Sequence, residues 1–297
     1  MTAKRQLNLE KSTNVRFPRV VSLIMRIGAV IAPNLTSRLF AKQFLTPWRA
    51  ATPGRERVWT LGAKRRTVRC GDYDLAVSYA GLGGPQVLLV HGWSGRGSQL
   101  GAFIEPLLDA GYEVNWFDLP AHGQSSGKQA GFVDAVDAVE NVIRWLGGAH
   151  TVIAHSMGAA ATTLAAARGA DIGRMVYLAS PDDVGSFLTT VGDLIGLPQS
   201  VITGAQSHIE QTYDVRFEDL IPTRHAAELT QPLLALHDRD DHEVTVEEVE
   251  SLTNVWPDAE LRLTQGLGHR RILRDPDVIR QVVDFVRNQP NSHRAAA

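Results

Sequence analysis

The sequence predicts an α/β chain with a mostly parallel central sheet, helices on both faces and a short helical cap insertion. Three observations predict it. From about residue 57, short β-type runs alternate with helical runs, the pattern of parallel strands joined by crossover helices. Val87-Leu88-Leu89-Val90 is apolar at every position, as a strand covered on both faces must be. Ala154-His155-Ser156-Met157-Gly158 stands between the β-type run Thr151-Val152-Ile153 and an alanine-rich helical run over 159–167. Strand, sharp turn, helix is the setting in which a serine is pushed out above a sheet.

Two domain-level pieces are expected: a basic helical extension over 1–55 and a domain over 56–297, interrupted by an insertion at about 181–230. In the extension, Val20, Leu23, Ile24, Ile27 and Ile31 recur at helical spacing beside Arg19 and Arg26, and Leu35, Leu39 and Phe44 continue a second stripe. Arg26 interrupts the apolar run and Pro33 ends it, so it is too short to span a bilayer and lacks a clean signal-peptide core. Two uses are open for the helix pair. Residues 1–45 could make a peripheral contact with an anionic membrane surface. The expectation is the other use, in which the stripe packs on the protein's own acidic body, as most amphipathic helices do.

The domain reads in order as strands 58–61, 67–69, 75–79 and 87–90, a helix over 98–108 and a strand 113–117. A helix over 131–146 follows, then the strand and helix around Ser156 and a strand 174–178. After the insertion come a strand 232–236, a helix 246–252, a strand 261–264 and a closing helix 277–287. His91, Asp118, Ser156 and Asp241 all fall just after strands, at the sheet edge where ligands sit in such folds.

Charge divides the chain. Residues 1–70 hold 15 of the 30 Lys and Arg against only Glu10 and Glu56, a net +13, and the remainder nets −15. The only cysteine, Cys70, excludes an internal disulfide and a cysteine metal cluster and suits a reducing, cytoplasmic setting. His237, Asp238, Asp241 and His242 could be read as metal ligands, but no complementary set appears elsewhere. The insertion carries no arginine cluster or basic stripe of the kind nucleic acid requires. No metal, cofactor or nucleic acid is expected.

Four motifs carry the chemistry. His91-Gly92-Trp93-Ser94 follows the central apolar strand. The elbow presents Ser156, and the N–H of Met157 is free at a helix start, where it can hold a developing negative charge. His237-Asp238-Arg239-Asp240-Asp241-His242-Glu243-Val244 follows a strand with three candidate carboxylates. Gly266-Leu267-Gly268-His269 lies between the last strand and the last helix. A further turn, residues 118–125, shapes a loop. In this order the motifs make the chain resemble an α/β-hydrolase-fold serine hydrolase of the esterase/lipase kind, over about residues 65–288. Ala154 and Ala121 stand where that family commonly has glycine.

The resemblance implies a catalytic triad of Ser156, Asp241 and His269, with Trp93 and Met157 as backbone donors of an oxyanion hole. Asp238 and Asp240 remain alternatives for the acid. A serine hydroxyl needs a base to become a nucleophile, an imidazole titrating near neutrality supplies it, and a carboxylate fixes its tautomer. The expected substrate is a carboxylic ester of small to medium acyl chain, with some apolar side chains among Phe187, Leu188, Leu194, Ile195, Leu197, Val201, Ile202 and Phe217 lining an acyl pocket. A membrane-associated lipid or thioester hydrolase, or a non-catalytic binding module on the same scaffold, are the competing readings.

Overall fold

The computed structural model describes residues 19–288. Its centre is an eight-stranded sheet in the order β1-β2-β4-β3-β5-β6-β7-β8. The strands are β1 Lys64–Cys70, β2 Tyr73–Ala80, β3 Gln86–Val90, β4 Glu113–Phe117, β5 Thr151–His155, β6 Met175–Leu178, β7 Leu233–Asp238 and β8 Ala259–Thr264. β2 runs antiparallel to both β1 and β4, and every other pairing is parallel. The order reverses at β3, whose neighbours β4 and β5 lie on opposite sides, and that crevice is where such sheets place their ligands.

The apolar strands feed both faces. Leu88 and Val90 of β3 join Val152 and Ala154 of β5 in one core, under α5 (Phe132–Leu146) and α6 (Met157–Ala167). Val87, Leu89 and Ile153 point into the other, against α4 (Ile104–Asp109) and α12 (Pro276–Arg287). Each of these side chains is fully buried, contributing roughly 1.5–3 kcal/mol for a Val or Leu.

Three expectations are corrected. Residues 58–61 form no strand: Gly54–Trp59 is a short helix, α3, and Val58 and Leu61 stand exposed. Pro53 opens the helix and Gly62, at φ 78°, ends the turn that follows. Glu56 points inward to Arg96, so a buried ion pair holds α3 alongside the packing of Trp59 on Gly101. The span read as one helix over 98–108 is a 3₁₀ segment, Gly97–Phe103, followed by α4. Pro106 has no N–H to donate to the Ala102 carbonyl, so the α-helix begins afresh at Ile104, with the proline in its first turn where that donor is not needed.

The third correction concerns the extension. Residues Arg19–Ile31 form α1 and Pro33–Phe44 form α2, but the stripe of Val20, Leu23, Ile24, Ile27 and Ile31 faces outward, not onto the domain. The pair packs instead through Met25, Ala29, Phe40 and Ala41. Their partners are Leu188, Val191 and Ile195 of α7 (Val184–Ile195) and Val201, Ile202, Ala205 and Ile209 of α8 (Gln199–Tyr213), both in the insertion. The four helices share one core, separate from the two on the sheet, and together form the roof over the sheet edge. The segment after α2 is clamped to the domain: Arg49 donates to the carbonyls of Ala121, Ser125 and Gly127 at 2.8–2.9 Å.

Candidate active site

Ser156 directly follows β5 with φ 52° and ψ −129°, a strained backbone for a residue with a side chain. It makes no side-chain cap to α6, so the ordinary role of a serine at a helix start is absent. The turn needs small neighbours. A Cβ on Gly158 would lie 2.5 Å from the carbonyl oxygen of His91, and one on Gly92 would lie 2.9 Å from the Cβ of Ser156. Ala154 faces no such limit, being paired within the sheet between Val90 and Tyr177. At Ala121 the backbone has φ 63°, which explains why glycine suits that position.

The backbone N–H groups of Trp93 and Met157 have no acceptor among the described residues. Both residues line the cavity that Ser156 lines. Two histidines hold the loop that carries Trp93. His91 accepts from the Leu119 N–H at 2.9 Å and donates to the Gly92 carbonyl; His122 accepts from the Ser94 N–H at 3.0 Å and donates to the Pro120 carbonyl. Burial pushes the pKa of His91 down to about 4 and that of His122 to about 3, so both stay neutral and able to accept. The turn at residues 118–125, expected only to shape a loop, thus also braces the loop of Trp93 through His122.

The three carboxylates after β7 divide their work. Asp241 meets the histidine: its Oδ2 accepts from His269 Nδ1 at 2.8 Å, while its Oδ1 accepts from the N–H groups of Glu243 and Val244. Asp238 accepts from Asp240 N–H, Thr264 Oγ1, Leu267 N–H and Gly268 N–H, and Asp240 accepts from Gly266 N–H. These two pin the loop that carries His269, and neither contacts its ring. Burial pushes the Asp241 carboxyl up, but the His269 hydrogen bond and charge and the two N–H donors outweigh it and hold it below the usual range.

With Nδ1–H directed at Asp241, His269 keeps Nε2 as the nitrogen with a free lone pair. The ring of His155, the residue before Ser156, lies against it at a centroid distance of 4.7 Å, and donates from Nε2 to the His269 carbonyl at 2.9 Å. Glu243 was not foreseen from the sequence. Its Oε2 lies 3.8 Å from His269 Nε2, and its Oε1 takes a hydrogen bond from Arg270 at 3.0 Å. Burial disfavours the His269 imidazolium, yet the Glu243 charge and the bond and charge of Asp241 prevail, so its pKa lies above the ordinary histidine value.

The cavity in front of these groups is about 850 Å³. Of the insertion residues expected to line it, Phe187 and Phe217 do; Leu188, Ile195, Leu197, Val201 and Ile202 are buried in the helical roof. Phe44, at the end of α2, also lines it, stacked on Trp93 at 6.3 Å and tilted against Phe187 at 5.8 Å. Its membership of the N-terminal stripe hid that role.

The comparisons with known proteins agree on the architecture. An esterase of Pyrococcus furiosus superimposes with a TM-score of 0.62 at 22% identity, covering 82% of this chain and 97% of its own. An esterase from Exiguobacterium antarcticum gives 0.58 at 17%, covering 75% and 99%. A membrane phospholipase A described as a bacterial virulence factor gives 0.60 at 19%, covering 91% and 97%. At these identities the likeness is one of fold. No curated protein matches in sequence. The family model described as the alpha/beta hydrolase family matches residues 87–282, which runs from β3 into α12 and includes Trp93, Ser156, Met157, Asp241, Glu243 and His269. With two thirds of its length matched and the strand order and elbow in place, this chain belongs to the alpha/beta hydrolase family.

Proposed function

We propose that the protein is a serine hydrolase that cleaves carboxylic esters of small to medium acyl chain through Ser156, His269 and Asp241. The observation that carries this reading is the 2.8 Å bond from His269 Nδ1 to Asp241, beside an elbow serine that opens on the same cavity. In the reaction, His269 Nε2 takes the proton of Ser156 as its Oγ attacks the ester carbonyl. The N–H groups of Trp93 and Met157 hold the oxyanion, each contributing about 10²–10³ in rate. His269 returns the proton to the departing alkoxide as the C–O bond breaks, leaving an acyl-serine and a free alcohol. A water then attacks the acyl carbon, giving up its proton to His269, and the acid leaves as Ser156 is reprotonated. Asp241 stabilises the imidazolium at each stage. Phe44, Phe132, Phe187 and Phe217 supply apolar lining for the acyl chain.

Initial rates on p-nitrophenyl esters of rising acyl length test the proposal, with a maximum expected at short to medium chains. No turnover across the series overturns it. A maximum at long chains favours a second reading, hydrolysis of lipid esters. The outward apolar stripe of α1 and the fold shared with the membrane phospholipase support that reading.

The pH dependence carries its own prediction. Because Glu243 favours the charged form of His269, the base form appears only as pH rises through an elevated pKa. Glu243→Gln removes that charge, so the acid limb of the kcat/KM profile is expected to move to lower pH. An acid limb that stays in place would show that Glu243 does not act on His269.

A further inference from the structure

α1 and α2 bury one face and leave the opposite one bare. At 100° per residue, Met25 and Ala29 fall on one side of α1, and Val20, Leu23, Ile24, Ile27, Val30 and Ile31 cluster on the other. These six are 51–85% exposed. In α2, Leu35 and Leu39 sit one turn apart and are 58% and 50% exposed. Eight of the 14 exposed large hydrophobic residues in the described chain thus fall within positions 20–39. Single exposed aliphatics are ordinary, but a contiguous field of them marks an interaction surface.

The charge around this field selects its occupant. Neither helix contains an acidic residue, and Arg26, Arg38 and Lys42 are exposed. Arg38 and Lys42 fall on the Leu35 and Leu39 side of α2 by helical spacing. The stretch of sequence that carries both helices, residues 1–70, nets +13 in an otherwise acidic sequence, and Asp193 of α7 is the acidic group beside Leu23, Arg26 and Ile27. A second copy of the chain paired about a twofold axis would set this cationic face against itself. A surface that takes in aliphatic side chains and offers negative charge at the same depth is an anionic bilayer.

We propose that the bare face of α1 and α2 seats the protein on anionic lipid membranes, aliphatics at the acyl boundary and cations among the headgroup phosphates. Among the described residues no helix is long and apolar enough to cross a membrane, so the contact is with one leaflet. The seat is built into the roof of the cavity. α2 and α8 pack closely, with a Cβ on Gly204 reaching 2.6 Å from Ser37 Oγ, and Phe44 and Leu45 at the end of α2 line the cavity. Membrane attachment is therefore mechanically continuous with the walls around Ser156, although the inference does not depend on the ester chemistry.

Co-sedimentation of the full chain with vesicles tests it without any readout of activity. Vesicles of phosphatidylcholine mixed with phosphatidylglycerol are expected to bind the protein roughly tenfold or more tightly than phosphatidylcholine alone, with binding weakened by salt. The double variant Ile24→Ser, Ile27→Ser is expected to weaken that binding by about tenfold or more. Its thermal unfolding should match wild type, because both side chains are exposed. No sedimentation with anionic vesicles, or binding that survives the double substitution, overturns the proposal. So does a concentration-dependent dimer that the same substitutions abolish, which would assign the face to a second copy.

Discussion

Ser156→Ala is expected to lower kcat on p-nitrophenyl esters by roughly 10⁴- to 10⁶-fold while the fold stays intact. The large effect on rate follows from chemistry, since no other hydroxyl is offered at the elbow between the Met157 and Trp93 N–H groups. The small effect on stability follows from geometry. The Ser156 side chain caps nothing, and alanine at φ 52° carries the same backbone strain as serine. Two measurements separate the outcomes: turnover of the variant, and labelling of both proteins by a serine-directed fluorophosphonate. Turnover unchanged from wild type removes Ser156 from the reaction. Failure of the wild type to take the label favours a binding module on a hydrolase scaffold.

The parts of the fold that were legible in the sequence are those where burial acts on consecutive residues. β3 is apolar at four of its five positions and β5 carries the apolar run Val152-Ile153-Ala154 because both faces are covered, and local pattern then suffices to find them. The elbow was legible for a related reason: a turn that excludes side chains shows as small residues at fixed spacing. What failed did so where a tertiary contact overrode local preference. Val58 and Thr60 favour a strand, yet Glu56, two positions before Val58, pairs with Arg96 and the segment coils into α3.

The extension failed differently. Periodicity found both helices but chose the wrong face, because it weights large aliphatics and overlooks small residues. α1 and α2 meet where Gly28 lies against Thr36, and α2 meets α8 where Ser37 lies against Gly204. Close contacts of this kind leave no hydrophobic signal. The acid was ambiguous for a third reason: Asp238, Asp240 and Asp241 are chemically identical, and only the hydrogen bonds of the folded loop distinguish the partner of His269 from the two that hold its backbone.

Glu56→Ala is expected to destabilise the protein by about 3–5 kcal/mol, because it breaks a buried ion pair at the wall of the cavity. Glu56 receives two bonds from Arg96, at 2.6 and 2.7 Å, and one from Ser98 at 2.8 Å, and both members of the ion pair are buried. Truncating the acid leaves the Arg96 guanidinium charged, out of water and without a counter-charge. The loss should appear as a lower denaturant midpoint, and as a melting temperature reduced by about 10 °C. Activity should fall as well, since Arg96 is three residues from Trp93 and anchors the end of its loop. The double variant Glu56→Met, Arg96→Met separates charge from shape. If the penalty comes from the stranded cation, replacing both partners restores most of the stability that Glu56→Ala loses. If the double variant is as unstable as the single one, packing of α3 on the 97–103 segment, rather than the ion pair, holds the N-terminal side of the site in place.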